Sequence, residues 1–235
     1  MKVTYEGRDL EAMSFAPRYH AWVLSQFERY LGNVVAEVGA GSGNFSSQLI
    51  RKVAGTLIAI EPSVQMFPLL KRRFENEPRV VCEQNVFADV APRYRGSLDA
   101  IVYVNVLEHV EDDLQELVQV YDALKPGGHI CVFVPALPFL FSEFDASIGH
   151  YRRYTKRQLA ACMRAAGFEI VKLKYFDIVG ILPWLLFMKL LRWSVTSKGA
   201  GLYDRFVVPP MRKIESLMPP PLGKNLIVVG RKLNL

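Results

Sequence analysis

The chain has 235 residues, 51% of them hydrophobic, and its 29 Lys and Arg against 23 Asp and Glu leave a formal charge of +6. That length and apolar content exclude global disorder and suit one fairly large domain, while the modest charge permits an anionic partner without naming its class. The opening MKVTYEGRDL has no apolar h-region, which argues against a signal peptide, and Cys82, Cys131 and Cys162 form no metal-like cluster and read as reduced core residues of a cytoplasmic protein.

In chain order, short apolar runs alternate with helical patterns. Val34–Val38 predicts a first strand, Thr56–Ile60 a second, Arg79–Glu83 a third and Leu98–Val104 a fourth. Between them, Phe45–Val53 and Val64–Phe74 carry the three-to-four spacing of helices. Asp112–Leu124 is a further helix, with Leu114, Leu117, Val118, Tyr121 and Leu124 on one face, and Lys125-Pro-Gly-Gly128 turns it into a fifth strand, His129–Val134. Thr155 can cap a helix that ends at Gly167. Phe168–Phe176 is a sixth strand and Asn225–Arg231 a seventh. The alternation indicates an α/β fold, a parallel sheet covered on both faces. Residues 177–222 are expected to fold as a hydrophobic helical cap over one end of the sheet, within a single domain of 1–235.

EVGAGSG joins the first strand to a helix and places Gly39, Gly41 and Gly43 as G-x-G-x-G. Such a turn lets backbone approach a ligand closely at the carboxyl end of a strand. Asn44 stands where a dinucleotide fingerprint has its last glycine, and no Gly-Lys-Ser/Thr follows to make a phosphate loop. Glu61 ends the second strand, where a carboxylate can accept both hydroxyls of a ribose, in NAD and adenosyl ligands alike. The plainer alternative is an ordinary tight turn with Glu61 a solvated loop residue.

EVGAGSG, IEPS, NVFADV and LDAIVYVNVLEHVEDD resemble, in order and spacing, the motifs of class I S-adenosylmethionine-dependent methyltransferases over residues 15–176. The resemblance implies a Rossmann-like, seven-stranded, mostly parallel sheet of order 3-2-1-4-5-7-6, its last strand antiparallel between the fifth and sixth. It implies S-adenosylmethionine as cofactor and S-adenosylhomocysteine as product. Glu37, Gly39, Ala40, Gly41, Gly43 and Asn44 would surround the methionine part. Glu61 would hold the ribose, with Pro62 and Ser63 bordering the adenine. Asn85, next to Val86, matches the position near the adenine amino group better than Asp89. Asn105, Val106 and Leu107 would pass beneath the sulfonium. Arg18 and Tyr19 resemble the pair that closes over the cofactor carboxylate.

Of the four histidines, His109 follows the fourth strand and could take a proton from an acceptor hydroxyl, or cap the next helix, or bond Glu108. His150 lies in GHYRRY, which matches the G-H-x-R-R-Y element of a bacterial subgroup often found beside glycan and lipid-linked sugar assembly. Gly149 opens it, and His150, Tyr151, Arg152, Arg153 and Tyr154 could orient an oxygen-bearing acceptor. Alternatively, Arg152 and Arg153 tie the loop to acidic neighbours such as Asp145, itself a second candidate base. His20 shows no partner in the sequence, and His129 opens the fifth strand as a structural residue. No cysteine–histidine spacing supports zinc and no carboxylate cluster demands magnesium, so no metal is expected.

Ile178–Met188 is an unbroken apolar run of eleven residues followed by Lys189 and Arg192, short of the roughly twenty that cross a bilayer. A lid over the substrate, an interfacial helix and a dimer face all fit, with Trp184 and Trp193 at its ends and Trp184 a candidate substrate contact. The Tyr203–Met218 arm brings Phe206, Val207, Met211, Ile214 and Leu217 together, a wall suited to a hydrophobic acceptor. The expected activity is O-methylation of a small or lipid-linked hydroxyl compound such as a sugar, polyketide or quinone. C- or N-methylation and an adenosyl-binding module without methyl transfer are the alternatives. A nucleic-acid partner is not expected. A monomer or homodimer is, with peripheral contact to the inner face of the membrane as an option.

Overall fold

A computed structural model describes residues 16–191 and 197–233. Seven strands form one sheet: β1 (Val34–Val38), β2 (Thr56–Ile60), β3 (Val80–Glu83), β4 (Leu98–Val104), β5 (Leu124–Pro135), β6 (Glu169–Phe176) and β7 (Asn225–Arg231), in the order β3-β2-β1-β4-β5-β7-β6. All neighbours from β3 to β5 are parallel, and β7 runs antiparallel to both β5 and β6.

Alternate residues of the central strands feed two separate cores. Ala36, Ile101, Tyr103, Ile130 and Val132 pack on one face, and Val35, Ala100, Val102, Cys131 and Phe133 on the other. Burial on both faces explains why these strands are continuous apolar runs. Of the three free cysteines only Cys131 is fully buried; Cys82 and Cys162 are half-buried.

The helices are α1 (Pro17–Leu24), α2 (Ser46–Leu49), α3 (Phe67–Arg73), α4 (Phe87–Val90), α5 (Asp113–Ala123), α6 (Glu143–Ser147) and α7 (Lys156–Ala165). Asp112 caps α5 by accepting from the Gln115 amide at 2.9 Å. A reciprocal Thr155–Gln158 box starts α7, and Gly167, at φ 98°, ends it.

Three expectations need correction. The helix after the glycine turn shrinks to the single turn α2. β5 begins at Leu124, because Leu124 already pairs with Leu98 before an irregularity resets the register to Ala100–His129. The buried stripe of α5 is Leu117, Val120 and Ala123, while Leu114 and Val118 are exposed. The helix is rotated so that Tyr121 meets Phe168, with ring centroids 5.1 Å apart, at the edge of the core.

Between β6 and β7 the chain makes a helical turn, α8 (Ile181–Pro183), runs on as π-helix through Trp184–Leu190, and then forms α9 (Ser197–Phe206) and α10 (Val208–Leu217). Its attachment is polar and buried. Asp204 of α9 accepts from the backbone amides of Arg18 (3.2 Å) and Tyr19 (2.7 Å), capping α1 from a distant part of the chain. Glu215 of α10 accepts from the amides of Asp177 (3.2 Å) and Ile178 (2.9 Å). Asp177 takes hydroxyl donations from Tyr19 (3.0 Å) and Tyr203 and pairs with Lys224 at 3.3 Å. The apolar side chains of this segment are less enclosed than a packed lid would make them: Leu182 is 70% exposed and Leu217 81%. The arm wall divides, with Val207 and Met211 half-buried and Phe206, Ile214 and Leu217 exposed. Trp193 lies outside the described residues. Among the described residues no helix is long and apolar enough to cross a membrane.

Candidate active site

The carboxyl ends of β1, β2 and β4 open into a cavity of ≈ 390 Å³, within the size range of small-ligand sites. Gly39, Gly41 and Gly43 all hold positive φ (72°, 56° and 81°). A Cβ on Gly39 would lie 2.4 Å from Val106, and one on Gly43 2.7 Å from the Phe74 ring. The first glycine therefore admits the β4 loop, and the third lets α3 pack closely. Gly39, Ala40 and Asn44 line the cavity; Gly41 instead donates its amide to Glu61 Oε2 at 2.7 Å.

Glu61 lines the cavity too, its other oxygen accepting from the Ser63 amide at 2.8 Å. Burial raises its pKa, and those two amides oppose the shift. Each oxygen keeps a second lone pair for an incoming donor. Beneath it, Glu37 is buried with Oε2 lacking any hydrogen-bond partner among the described residues. Burial, opposed by the Ser46 hydroxyl and reinforced by the Glu61 charge, pushes Glu37 up to about 8.

Pro62, Asn85 and Val86 line the cavity, whereas Ser63 is buried behind it and Asp89 is exposed on α4. From β4, Asn105 and Val106 reach it. Asn105 sits at φ 53°, its amide bonded to the Phe133 carbonyl at 2.9 Å. Leu107 lies wholly in the core, its carbonyl taking the Tyr154 hydroxyl at 3.3 Å.

Arg18 and Tyr19, expected to close over the cofactor carboxylate, do not line the cavity. Helix α1 buries Tyr19, Trp22 and Val23, a spacing that points the Tyr19 ring at Phe133 and Phe176 and its hydroxyl at Asp177 and Asn225. Arg18 is exposed and, like Tyr19, is not among the lining residues. The residue of α1 that does line the cavity is His20, edge-on to Phe45 at 5.7 Å, its pKa lowered by burial to about 4.

Beside the cavity two histidines meet. His109 lines the cavity, and its ring lies 4.6 Å, edge to face, from that of His150. Burial and the neighbouring His150 lower His109 to about 4, against a backbone hydrogen bond with Gly149, so the ring is neutral at pH 7. His150 Nδ1 lies 2.9 Å from Asp145 Oδ1, and its Nε2 3.7 Å from the buried Glu108. Asp145 also accepts from Arg153 Nη2 (2.8 Å) and Nε (3.0 Å) and from the Ser142 hydroxyl and amide. Burial pushes the Asp145 pKa up, but these donors outweigh it and hold it at about 2. A carboxylate so well supplied with donors is a weak base, and its place is behind His150.

The other members of the element face inward or outward rather than into the cavity. Arg152 binds Asp113 (3.0 Å) and the Glu111 carbonyl, Tyr154 binds Asp113 (2.8 Å), and Tyr151 is exposed. Trp184 donates to the Leu140 carbonyl at 3.2 Å and lies under the Arg153 guanidinium at 4.4 Å, bracing the Arg153–Asp145–His150 chain from behind. Phe87, Val104, Val110 and Glu116 line the cavity without any advance signal.

Residues 16–173 match the methyltransferase domain family. The chain is 27% identical over 67% of its length, and 83% of the relative's, to the uncharacterized methyltransferase YdaC of Bacillus subtilis. A ubiquinone biosynthesis O-methyltransferase of Xanthomonas axonopodis is 27% identical over 65% of this chain and 68% of its own. An uncharacterized 37.1 kDa protein of Streptomyces fradiae is 28% identical, but only 49% of its length is covered. In fold, the chain resembles a Haloferax volcanii methyltransferase solved with the Trm112 activator (TM-score 0.67, 17% identity, 99% and 100% of the two chains). It also resembles a Burkholderia thailandensis N-methyltransferase with bound S-adenosylhomocysteine (TM-score 0.59, 18% identity, 97% and 83% covered). The chain belongs to the class I S-adenosylmethionine-dependent methyltransferases, and S-adenosylmethionine is its cofactor. The residues present fit that group: Glu37 offers an orphan carboxylate oxygen to a cation, Glu61 keeps carboxylate lone pairs at the cavity wall, and the glycine turn leaves no room for side chains at Gly39 and Gly43.

Proposed function

We propose that the chain methylates a hydroxyl on a small or lipid-linked acceptor, such as a sugar, polyketide or quinone-like compound. The observation that carries this reading is the edge-to-face pair of imidazoles at the glycine cavity, where His109 lines the wall and His150 is oriented behind it by an ionised carboxylate. S-adenosylmethionine supplies the electrophilic methyl group. Glu37 with the turn around Gly39 would hold its methionine end, Glu61 the ribose, and Asn85 with Pro62 the adenine. Asn105 and Val106 would lie under the reacting centre. His109, neutral at pH 7, would receive the hydroxyl proton directly or pass it through His150, and the buried walls would exclude water. The ubiquinone biosynthesis O-methyltransferase relatives support an oxygen acceptor.

A membrane-associated acceptor is favoured by one further observation. Leu182, Leu186, Leu190 and Leu191 are exposed beside Lys189 on the segment that follows β6, which suits contact with an anionic lipid surface. Isotope-labelled S-adenosylmethionine, incubated with the enzyme and an extract of the producing cells, tests the reading by mass spectrometry. Label on an ether oxygen supports it, and label on carbon or nitrogen overturns it.

A further inference from the structure

The spacing of residues along the chain gave no metal site, but the fold gathers one set of donors that the spacing conceals. Glu108 and His109 share the short turn after β4, and His150 arrives from the loop after α6. One ligand atom from each lies within 4.8 Å of the others. Donors around a first-row divalent ion stand at about 2.0–2.2 Å from it, so about 3–4 Å from one another. Small side-chain rotations would close the gap.

Two features distinguish this group from a chance meeting of polar side chains. Glu108 is fully buried and the His150 side chain only 7% exposed, so the donors are largely shielded from water. His150 also has its Nδ1 engaged by Asp145 at 2.9 Å, which selects the tautomer that leaves Nε2 as the free donor, facing Glu108. Asp145 is in turn fixed by Arg153 and Ser142. A carboxylate behind an imidazole is the arrangement that orients histidine ligands in metal sites.

We propose that Glu108, His109 and His150 form a site for a first-row divalent transition-metal ion, with Asp145 as its supporting carboxylate. Two imidazoles and one carboxylate favour Zn²⁺ or Co²⁺ over Mg²⁺ or Ca²⁺, which prefer oxygen donors. Three protein ligands leave coordination positions open. His109 lines the cavity, so an open position on that side would take the acceptor oxygen. With the ion bound, His109 and His150 would hold it instead of taking the proton; the more acidic bound hydroxyl would release its proton to solvent, and the ion would end the cycle unchanged. This role rests on the oxygen-acceptor reading; the binding of the ion does not.

The test uses the full chain, stripped of metal, with Zn²⁺ alone followed by calorimetry and Co²⁺ alone followed by visible absorption. Wild type is expected to bind one ion per chain, with a Co²⁺ spectrum of nitrogen and oxygen ligation and with Mg²⁺ bound at least 100-fold more weakly. His150→Ala and Glu108→Gln should each weaken Zn²⁺ at least 100-fold, and Asp145→Asn about 10–100-fold. S-adenosylhomocysteine binding shows which variants are folded, and His109→Ala replaces any that are not. Failure of folded wild type to bind Zn²⁺ stoichiometrically, or binding that the folded variants leave intact, overturns the site. Stoichiometric binding lost in the variants, together with methyl label on carbon or nitrogen, upholds the site and sinks the oxygen-acceptor reading alone.

Discussion

The Arg153 guanidinium lies 4.4 Å from the centroid of the Trp184 ring. This contact joins the segment after β6 to the loop after β5, since the same guanidinium grips Asp145 and Asp145 holds His150. Trp184 therefore acts on the site through two intermediaries.

Trp184→Ala should lower kcat for the acceptor about 3–30-fold, on the scale of about 0.5–2 kcal/mol for a cation–π contact. Calorimetry should find the affinity for S-adenosylhomocysteine unchanged, because the cofactor cavity does not include Trp184. Equal losses in both would contradict the indirect role.

Glu37 gives a pH dependence of definite sign. Its folded pKa is raised to about 8, so the folded chain keeps a proton that the unfolded chain releases at ordinary carboxylate pH. The folded state of the cofactor-free protein is favoured fully below that ordinary value, and stability falls as pH climbs towards about 8, by a few kcal/mol in all. Thermal melts of Glu37→Gln should lose this slope. Placing the cofactor ammonium beside Glu37 should expel the proton. Calorimetry at pH 7 in buffers of different ionisation enthalpy should then show proton release in wild type and none in the variant.

Gly39→Ala should abolish cofactor binding and cost about 1–3 kcal/mol in stability, because the new methyl would strike Val106 at 2.4 Å on a positive-φ residue. Glu61→Ala should weaken cofactor binding by about 1–3 kcal/mol. It should also loosen the turn, since Gly41 and Ser63 both lose their acceptor. Titrations beside circular dichroism would separate the two variants.

Much of the sheet was legible because each central strand is buried on both faces and so reads as an unbroken apolar run. The glycine turn and Glu61 were legible because local geometry demands those residue types. The phase of α1 was not taken from its pattern, although Tyr19, Trp22 and Val23 mark the buried stripe that leaves His20 towards the cavity. The meeting of His150 and Asp145 with Glu108 and His109 had no local signature. It arises from the path of the loop after β5, where Tyr154 pairs with Ala136 beside the strand end and Tyr151 donates its amide to the Glu108 carbonyl.

Asp177 anchors the segment between β6 and β7, so Asp177→Asn should lower Tm well beyond the loss from Arg231→Ala. The first is fully buried among Tyr19, Tyr203 and Lys224, and the second belongs to an exposed pair with Glu169. Limited proteolysis should cut the Asp177→Asn variant between β6 and β7 at conditions that spare wild type.

The antiparallel placement of β7 also bears on how the protein is made. β6 emerges from the ribosome before its strand partner, since among the described residues it pairs with β7 alone, and β5 meanwhile keeps one flank of unpaired backbone groups open. Residues 177–224 must be synthesised before that flank closes. Until then the nascent chain carries a ready template for strand addition. A message truncated in this interval would yield an aggregation-prone product rather than a slightly shorter enzyme, and chaperones that shield apolar edges would have their longest engagement during those residues.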